Sequence, residues 1–464
     1  MDLTLYNGTI LTMTGQEVKA VSVERGWIRE LRKVPAQKEI DLEGKVMIPG
    51  FIDCHTHFIG MGFKLLNVDL STVTCAEQAV SLLEKKAETL EPDQWVLGYS
   101  WDESFWSEKR YLTARELSHI ENPLCAVRVD GHVAVLNQAA QQKLNVKKEY
   151  LYEDELFSIQ SLISGEDIDK ALAKALQVCR QQGVTSIHDN PGDIRNFILY
   201  QTMPQKTVRI YVNLPVSALD AVSAVGLRTG FGDEWLRFGG IKIFTDGSIG
   251  AKTAAMSFTY KDGVTNGLLT YEDAQLQEIL TKARPNQTAV HAIGDRAIQQ
   301  VLTLSQPGGR NRIEHAELLR DDQIVGAKSL GLVLSMQPNF LQWSHPGGLY
   351  DHRFGTGRDN RFKTIQKAGI PLVFGSDCMP FSPLFGIEQV VNAPYEEQRL
   401  SVEDAFTIYT KNGAYASFEE HLKGTIEKGK LADFVVLSGD PREQDVSSLS
   451  VEMTIVGGEV VYKA

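Results

Sequence analysis

Apolar residues fall into three textures along the chain. Over residues 3–48 they come in short alternating runs. Leu3-Thr4-Leu5-Tyr6 and Thr9-Ile10-Leu11-Thr12 flank Asn7-Gly8, a strong hairpin signal, and Val21-Ser22-Val23 and Trp27-Ile28 continue the pattern around Gly26. Near the C-terminus Ala432–Leu437, Met453–Val456 and Glu459–Tyr462 repeat it, the last two joined by Gly457-Gly458. These ends predict one small β-sandwich domain, residues 1–48 plus 424–464, with a larger domain, 49–423, inserted between them. The stretch 64–165 is irregular. It holds a helix over Ala76–Leu90, an aromatic cluster (Trp95, Trp101, Phe105, Trp106) and the turn Asp130-Gly131-His132, and reads as an insertion covering a site.

Beyond it, apolar strand runs alternate with helical periodicity. Asp167–Gln182 predicts a helix stopped by Gly183. Strands are predicted at Val184–His188, Val208–Val212, Gly240–Phe244, Ala289–His291, Arg312–His315, Leu332–Met336 and Leu372–Asp377, with helices at Glu272–Ala283 and Arg296–Leu304. With Phe51–His57 the strands number eight. Eight strands alternating with helices predict an α/β chain built on a (β/α)8 TIM-like barrel. A doubly wound open sheet competes, but no Gly-rich phosphate turn follows the first strand.

At 464 residues, 43% hydrophobic and 23% charged, the chain has the make-up of a water-soluble globular protein. A net charge of -12 argues against nucleic acid or an anionic membrane as partner, since both attract basic surfaces. The expected partner is a small-molecule substrate. No run is long enough to span a membrane and no signal-peptide pattern opens the sequence. Five scattered cysteines form no framework, so a reduced, cytoplasmic location is expected.

In such a barrel, chemistry sits at the C-terminal ends of the strands. His55 and His57 end the first strand, one residue apart and so on one face of it. Lys242 lies in the fourth strand, His291 ends the fifth, His315 the sixth and Asp377 the eighth. A lone His-x-His does not establish a metal. Four histidines, a lysine and an aspartate at five strand ends are costly to bury without a common purpose.

The pattern resembles the amidohydrolase superfamily, and more narrowly its YtcJ-like, amidohydrolase type 3 branch, related to N-substituted formamide deformylase. The matching stretches include Gly50–His57, Asp130-Gly131-His132, Ile241–Ser248, Val290–Ala297, Arg312–Ala316, Ser335–Pro338, Gly375-Ser376-Asp377 and the return Gly424–Leu437. The resemblance implies one or two divalent metal ions, zinc foremost. His55 and His57 would bind the first ion, His291 and His315 the second, and a carbamylated Lys242 would bridge them. Asp377 would ligate the first ion and shuttle protons. The implied reaction is hydrolysis of an amide, formamide or cyclic amide by metal-bound hydroxide. A mononuclear deaminase and a metal-free binding protein are the alternatives. A homodimer is compatible with the resemblance.

Three residues are candidates for substrate contact: His132, otherwise a turn histidine; His188, otherwise a residue that supports a ligand from behind or packs; and Trp101, otherwise core. Asp246 and Asp295 are placed to support ligands, Asp295 alternatively to cap a helix. Cys54 and Cys378, flanking ligand positions, are expected to turn away and pack.

Overall fold

The computed structural model describes residues 1–152, 155–156, 168–204 and 206–464. Eight parallel strands form its centre, in chain order: Phe51–Thr56, Val184–Asp189, Arg209–Pro215, Leu236–Phe244, Gln287–Ala292, Arg312–His315, Val333–Met336 and Leu372–Phe374. They are numbered here as first to eighth. All residues of the first, second, fifth, sixth, seventh and eighth are buried, as expected of strands covered on both faces. The sheet nearly closes. Past the eighth strand, the Asp377 amide donates to the His55 carbonyl at 2.9 Å, and Ser376 N donates to Asp53 Oδ1 at 2.9 Å.

Helices cover the outside. Ile168–Gln181 buries Ala171, Leu172, Ala175, Leu176 and Cys179, a one-sided stripe, and Gly183 (φ 71°) turns the chain into the second strand. The predicted start of this helix, Asp167, and the end of the predicted insertion lie outside the described residues. Phe58–Leu66 follows the first strand directly and crosses that helix at Gly62. A Cβ on Gly62 would sit 2.1 Å from the Ala171 carbonyl oxygen, so only glycine permits the approach.

The two chain ends share one eight-stranded sheet. Its order is 459–463, 451–456, 434–437, 46–49, 3–11, 17–24, 27–30, with 38–41 paired to 3–11. Phe434–Leu437 runs antiparallel to Val46–Pro49, the strand that leads into the first barrel strand. Leu5, Ile10, Val21, Ile28, Met47, Phe434 and Ile455 pack together within it.

Asn7-Gly8 departs from expectation. Leu3–Leu11 is one strand, irregular between Tyr6 and Ile10, and Asn7 takes φ 61°. The left-handed residue makes a bulge rather than a reversal. The bulge switches partners: Leu3–Tyr6 pairs with Lys38–Asp41, while Thr9 and Ile10 pair with Val46 and Met47.

The insertion is more regular than its sequence suggests. It holds a five-stranded sheet in the order 150–152, 133–136, 124–128, 96–101, 68–69, with helices Ala76–Ala87 and Gln138–Leu144. Trp101, Trp106, Leu117, Leu124 and Val135 belong to its own core. It rests on the barrel mouth through polar contacts. Trp343 Nε1 donates to Asp102 Oδ2 at 2.7 Å, Ser248 Oγ to Asp130 Oδ2 at 2.7 Å, and Tyr111 Oη to the Gly250 carbonyl at 3.0 Å.

Candidate metal centre

The first strand delivers His55 fully buried, and His57 just past its end with a ring open to the mouth. Their Nε2 atoms lie 3.7 and 3.4 Å from Asp377 Oδ1. His55 and His315 have ring centroids 4.7 Å apart, and His291 and His315 4.4 Å. One nitrogen each of His55 and His315 and a carboxylate oxygen of Asp377 lie within 4.8 Å of one another. Lys242 Nζ is 3.5 Å from His55 Nε2 and 4.7 Å from the centre of the Phe244 ring. The six predicted ligand positions therefore converge on one end of the barrel.

Hydrogen bonds fix which ring nitrogens carry protons. His55 Nδ1 donates to Glu314 Oε2 at 2.5 Å, and His57 Nδ1 donates to the Asn190 carbonyl at 2.9 Å. His291 Nε2 donates to the Gly247 carbonyl at 3.0 Å. Each imidazole thus spends its N–H on an acceptor and keeps its other nitrogen unprotonated. Metal-ligating histidines are held in this way. His315 Nδ1 is buried without a hydrogen-bond partner among the described residues. A buried ring nitrogen in that state costs stability unless something engages it.

The electrostatics agree. Burial first, and then the Lys242 charge for His55 and the His315 ring for His291, push both imidazoles well below their usual range. Burial and the His55 ring do the same to His315, and desolvation and Lys242 shift His57 in the same direction. All four are neutral at pH 7, the form that ligates. Burial lowers the Lys242 ammonium, and burial raises the Asp377 carboxyl against the opposing pull of Lys242. Lys242 is 2% exposed and makes no ion pair with a carboxylate among the described residues.

Two strand ends are bent to aim these groups. His315 and Ala316 have φ of 74° and 48°, Asp377 and Cys378 of 52° and 59°. Left-handed conformations are uncommon in residues other than glycine and cluster at functional sites. Asp53 helps hold the second bend, because its Oδ1 accepts from both Ser376 N and His55 N. Gly375 permits it: a Cβ there would fall 2.3 Å from His55 N.

The centre opens into a cleft with about 390 Å³ of space between its atoms, open solvent included, whose lining includes Asp130, His132, His291, His315, Glu317 and Asp377, with Phe340, Trp343, Leu349 and Met379. His132 lies here, its ring 5.6 Å from that of His291. His188 and Trp101 do not line the cavity. His188 is buried inside the barrel, where Arg312 Nη1 donates to its Nδ1 at 2.9 Å and its ring packs 5.0 Å from that of Tyr211. Trp101 is buried in the insertion core, its Nε1 donating to the Ala126 carbonyl at 2.9 Å. Trp101 is therefore core, and His188 stands behind the centre, joined to it through Arg312 and Glu314.

Asp246 accepts from the amides of Ala255, Ile293 and Gly294, and its Oδ1 lies 3.5 Å from His291 Nε2, so it braces that loop beside His291. Asp295 is the first residue of its helix, not its cap. It accepts from the Ser257 amide and from Arg320. Cys54 and Cys378 are buried, as expected.

Four neighbours of the centre have no role predicted from the sequence: Glu314, Arg312, Glu317 and Tyr350. Glu314 joins His55 to the fully buried Arg312, whose Nε donates to its Oε1 at 2.7 Å. Arg312 also donates to the Cys54 carbonyl and to Ser335 Oγ. The available signal was a charged pair two residues apart in a buried strand, hence on one face. Glu317 and Tyr350 line the cavity wall.

The sequence profile of the Amidohydrolase family matches residues 38–462. The chain belongs to the amidohydrolase family. It is 29% identical over 99% of its length to YtcJ of Bacillus subtilis (strain 168), a protein that carries the name of an amidohydrolase, and covers 99% of that relative. It is 24% identical to N-substituted formamide deformylase of Arthrobacter pascens, over 100% of this chain and 98% of that one. A crystal structure of an uncharacterized metal-dependent hydrolase from Pyrococcus horikoshii OT3 superposes with a TM-score of 0.78 at 26% identity, covering 96% of this chain and 99% of that one. The architecture seen here, a nearly closed eight-stranded parallel barrel within an α/β chain, is shared with that hydrolase.

Proposed function

We propose that this family member is a metal-dependent hydrolase of non-peptide C–N bonds in amides, formamides or cyclic amides. One observation carries the reading. Three imidazoles have their outer N–H groups tied to Glu314, Asn190 and Gly247; the bare nitrogens of His55 and His57 lie 3.7 and 3.4 Å from Asp377 Oδ1, and the His291 ring lies 4.4 Å from that of His315. A binding protein without metal has no use for three neutral imidazoles kept in that state beside a fourth, His315, whose buried Nδ1 has no partner among the described residues.

The donor set suits zinc and neighbouring divalent ions. His55, His57 and Asp377 would hold one, and His291 and His315 a second. Lys242 fits the bridging role only as a carbamate, since an ammonium offers no lone pair; its burial without a carboxylate partner supports the modification. A divalent ion so held supplies Lewis-acid activation of water at neutral pH. Asp377, beside both His55 and His57, takes the proton from the attacking water and returns it to the leaving nitrogen. His132 contributes a polar group on the substrate side of the cavity.

A mononuclear arrangement is the second reading, favoured by the trio His55, His315 and Asp377 as the tightest group of ligand atoms. Metal content per chain separates the two.

The test is a screen of formamides, N-acyl amino acids and cyclic amides with zinc-reconstituted protein, alongside metal analysis. Turnover is expected in the wild type and absent in His55→Ala, with an unchanged circular dichroism spectrum. Equal turnover in the variant overturns the proposal.

A further inference from the structure

The cavity has a second chemical pole besides the metal centre. Glu317 leaves the sixth strand just beyond His315 and is 2% exposed. Tyr350 Oη donates to its Oε2 at 2.5 Å. Its other oxygen, Oε1, accepts from no group among the described residues, and the side chain lines the cavity. Burial pushes the Glu317 carboxyl up to about 8 in the free protein, and a protonated nitrogen placed against Oε1 would hold it in the ionised form, which only accepts hydrogen bonds.

The surrounding wall selects what that oxygen meets. Phe340 and Trp343 have ring centroids 5.3 Å apart, and the Trp343 N–H is engaged by Asp102, which leaves ring surface as its contribution to the lining. Arg128 is the one Lys or Arg among the lining residues, and it is already neutralised. Its guanidinium donates to Glu103 at 2.8 Å and Asp130 at 2.8 Å, and lies 3.4 Å from Asp102. Outside the proposed metal centre, an anionic ligand therefore finds no unpaired Lys or Arg on the wall, and meets Glu317. A protonated nitrogen finds a carboxylate and aromatic faces together, the pairing that recognises ammonium groups.

We infer that Glu317 is a specificity-determining residue that selects substrates bearing a cationic nitrogen beyond the scissile amide, with the aromatic wall of Phe340 and Trp343 seating the apolar segment between them. The inference deepens the hydrolase reading and takes its amide from it.

The probes are three para-substituted N-benzylformamides, carrying an aminomethyl, a methyl or a carboxymethyl group, assayed with the zinc-loaded enzyme. In the wild type, kcat/KM is expected to fall in the order cation, neutral, anion, with the cation ahead of the neutral probe by about tenfold, mostly through KM. In Glu317→Gln the cation-to-neutral ratio is expected to collapse to near one, whereas Tyr350→Phe, which keeps the carboxylate, preserves the order. A cation that does not lead in the wild type overturns the inference without recourse to any variant, and so does a preference that survives in folded Glu317→Gln.

A binding arm separates this inference from the hydrolase reading. Isothermal titration with 4-(aminomethyl)benzylamine is expected to give about tenfold tighter binding to the wild type than to Glu317→Gln. If all three formamides are inert but this difference appears, hydrolysis of such amides fails and the cation site stands. If the diamine binds both proteins equally, or neither, the cation site fails whatever the turnover.

Discussion

Replacing Glu314 by glutamine tests whether the ring orientation of His55 is set from behind. The carboxylate has three contacts: His55 Nδ1 at 2.5 Å and Arg312 Nη2 at 3.1 Å on Oε2, and Arg312 Nε at 2.7 Å on Oε1. All three partners are donors. An amide offers one acceptor oxygen, and its NH2 must face a donor whichever way it turns. With the oxygen toward Arg312 Nε, the NH2 faces His55 and drives its proton to Nε2, removing the lone pair that points at Asp377. With the oxygen toward His55, Arg312 Nε loses its acceptor. Arg312 keeps the Cys54 carbonyl and Ser335 Oγ, so the fold should survive a cost of about 1–3 kcal/mol. Loss of such an orienting partner weakens metal binding about 10- to 100-fold, or about 1.4–2.8 kcal/mol. Competition titration of the apoprotein with a chromophoric zinc chelator measures it directly. Wild-type zinc affinity in Glu314→Gln, with affinity lost in His55→Ala, would refute the reasoning.

His188→Gln should flatten the acid limb of the stability curve. Burial, followed by the Arg312 charge, holds the folded His188 well below its usual 6.5, so below about pH 6.5 the unfolded chain takes up a proton that the folded chain refuses. Stability therefore falls on acidification by about 1.4 kcal/mol per pH unit through this group. Urea unfolding at about pH 6.5 and 5 should show the variant losing about 2 kcal/mol less than wild type; parallel losses would contradict it. Gly375→Ala places a Cβ 2.3 Å from His55 N, and overpacking of this kind costs about 1–3 kcal/mol. Melting temperature and zinc affinity should fall together, and a variant with wild-type values of both would show that the close approach is not required.

The barrel and its polar strand ends were legible because most of its strands are short and buried, and polar residues fall in or near the C-terminal ends of five of them. His55, Lys242, His291, His315 and Asp377 announce themselves as interruptions of apolar runs. Alternation reports which face a side chain takes, not what it meets there. His188 lies inside the barrel, yet Arg312 claims it. Glu314 sits beside a recognised ligand and passed unread, because its importance comes from Arg312 and from a histidine in a distant strand. The sheet of the insertion was obscured by uneven spacing of its strands, and Asn7-Gly8 by a local signal that a bulge and a hairpin share. Cavity residues such as Tyr350, contributed by a short helix after the seventh strand, have no periodic signature at all.

The sheet shared by the two chain ends sets an order of events in biosynthesis. Val46–Pro49, which feeds directly into His55 and His57, stays an open edge until Phe434–Leu437 has left the ribosome. Domains commonly mature from the N-terminus while synthesis proceeds at about 5–20 residues per second. Here the first candidate ligands are made early but clamped last, so uptake of a metal at the proposed centre is expected to follow synthesis of Phe434–Leu437.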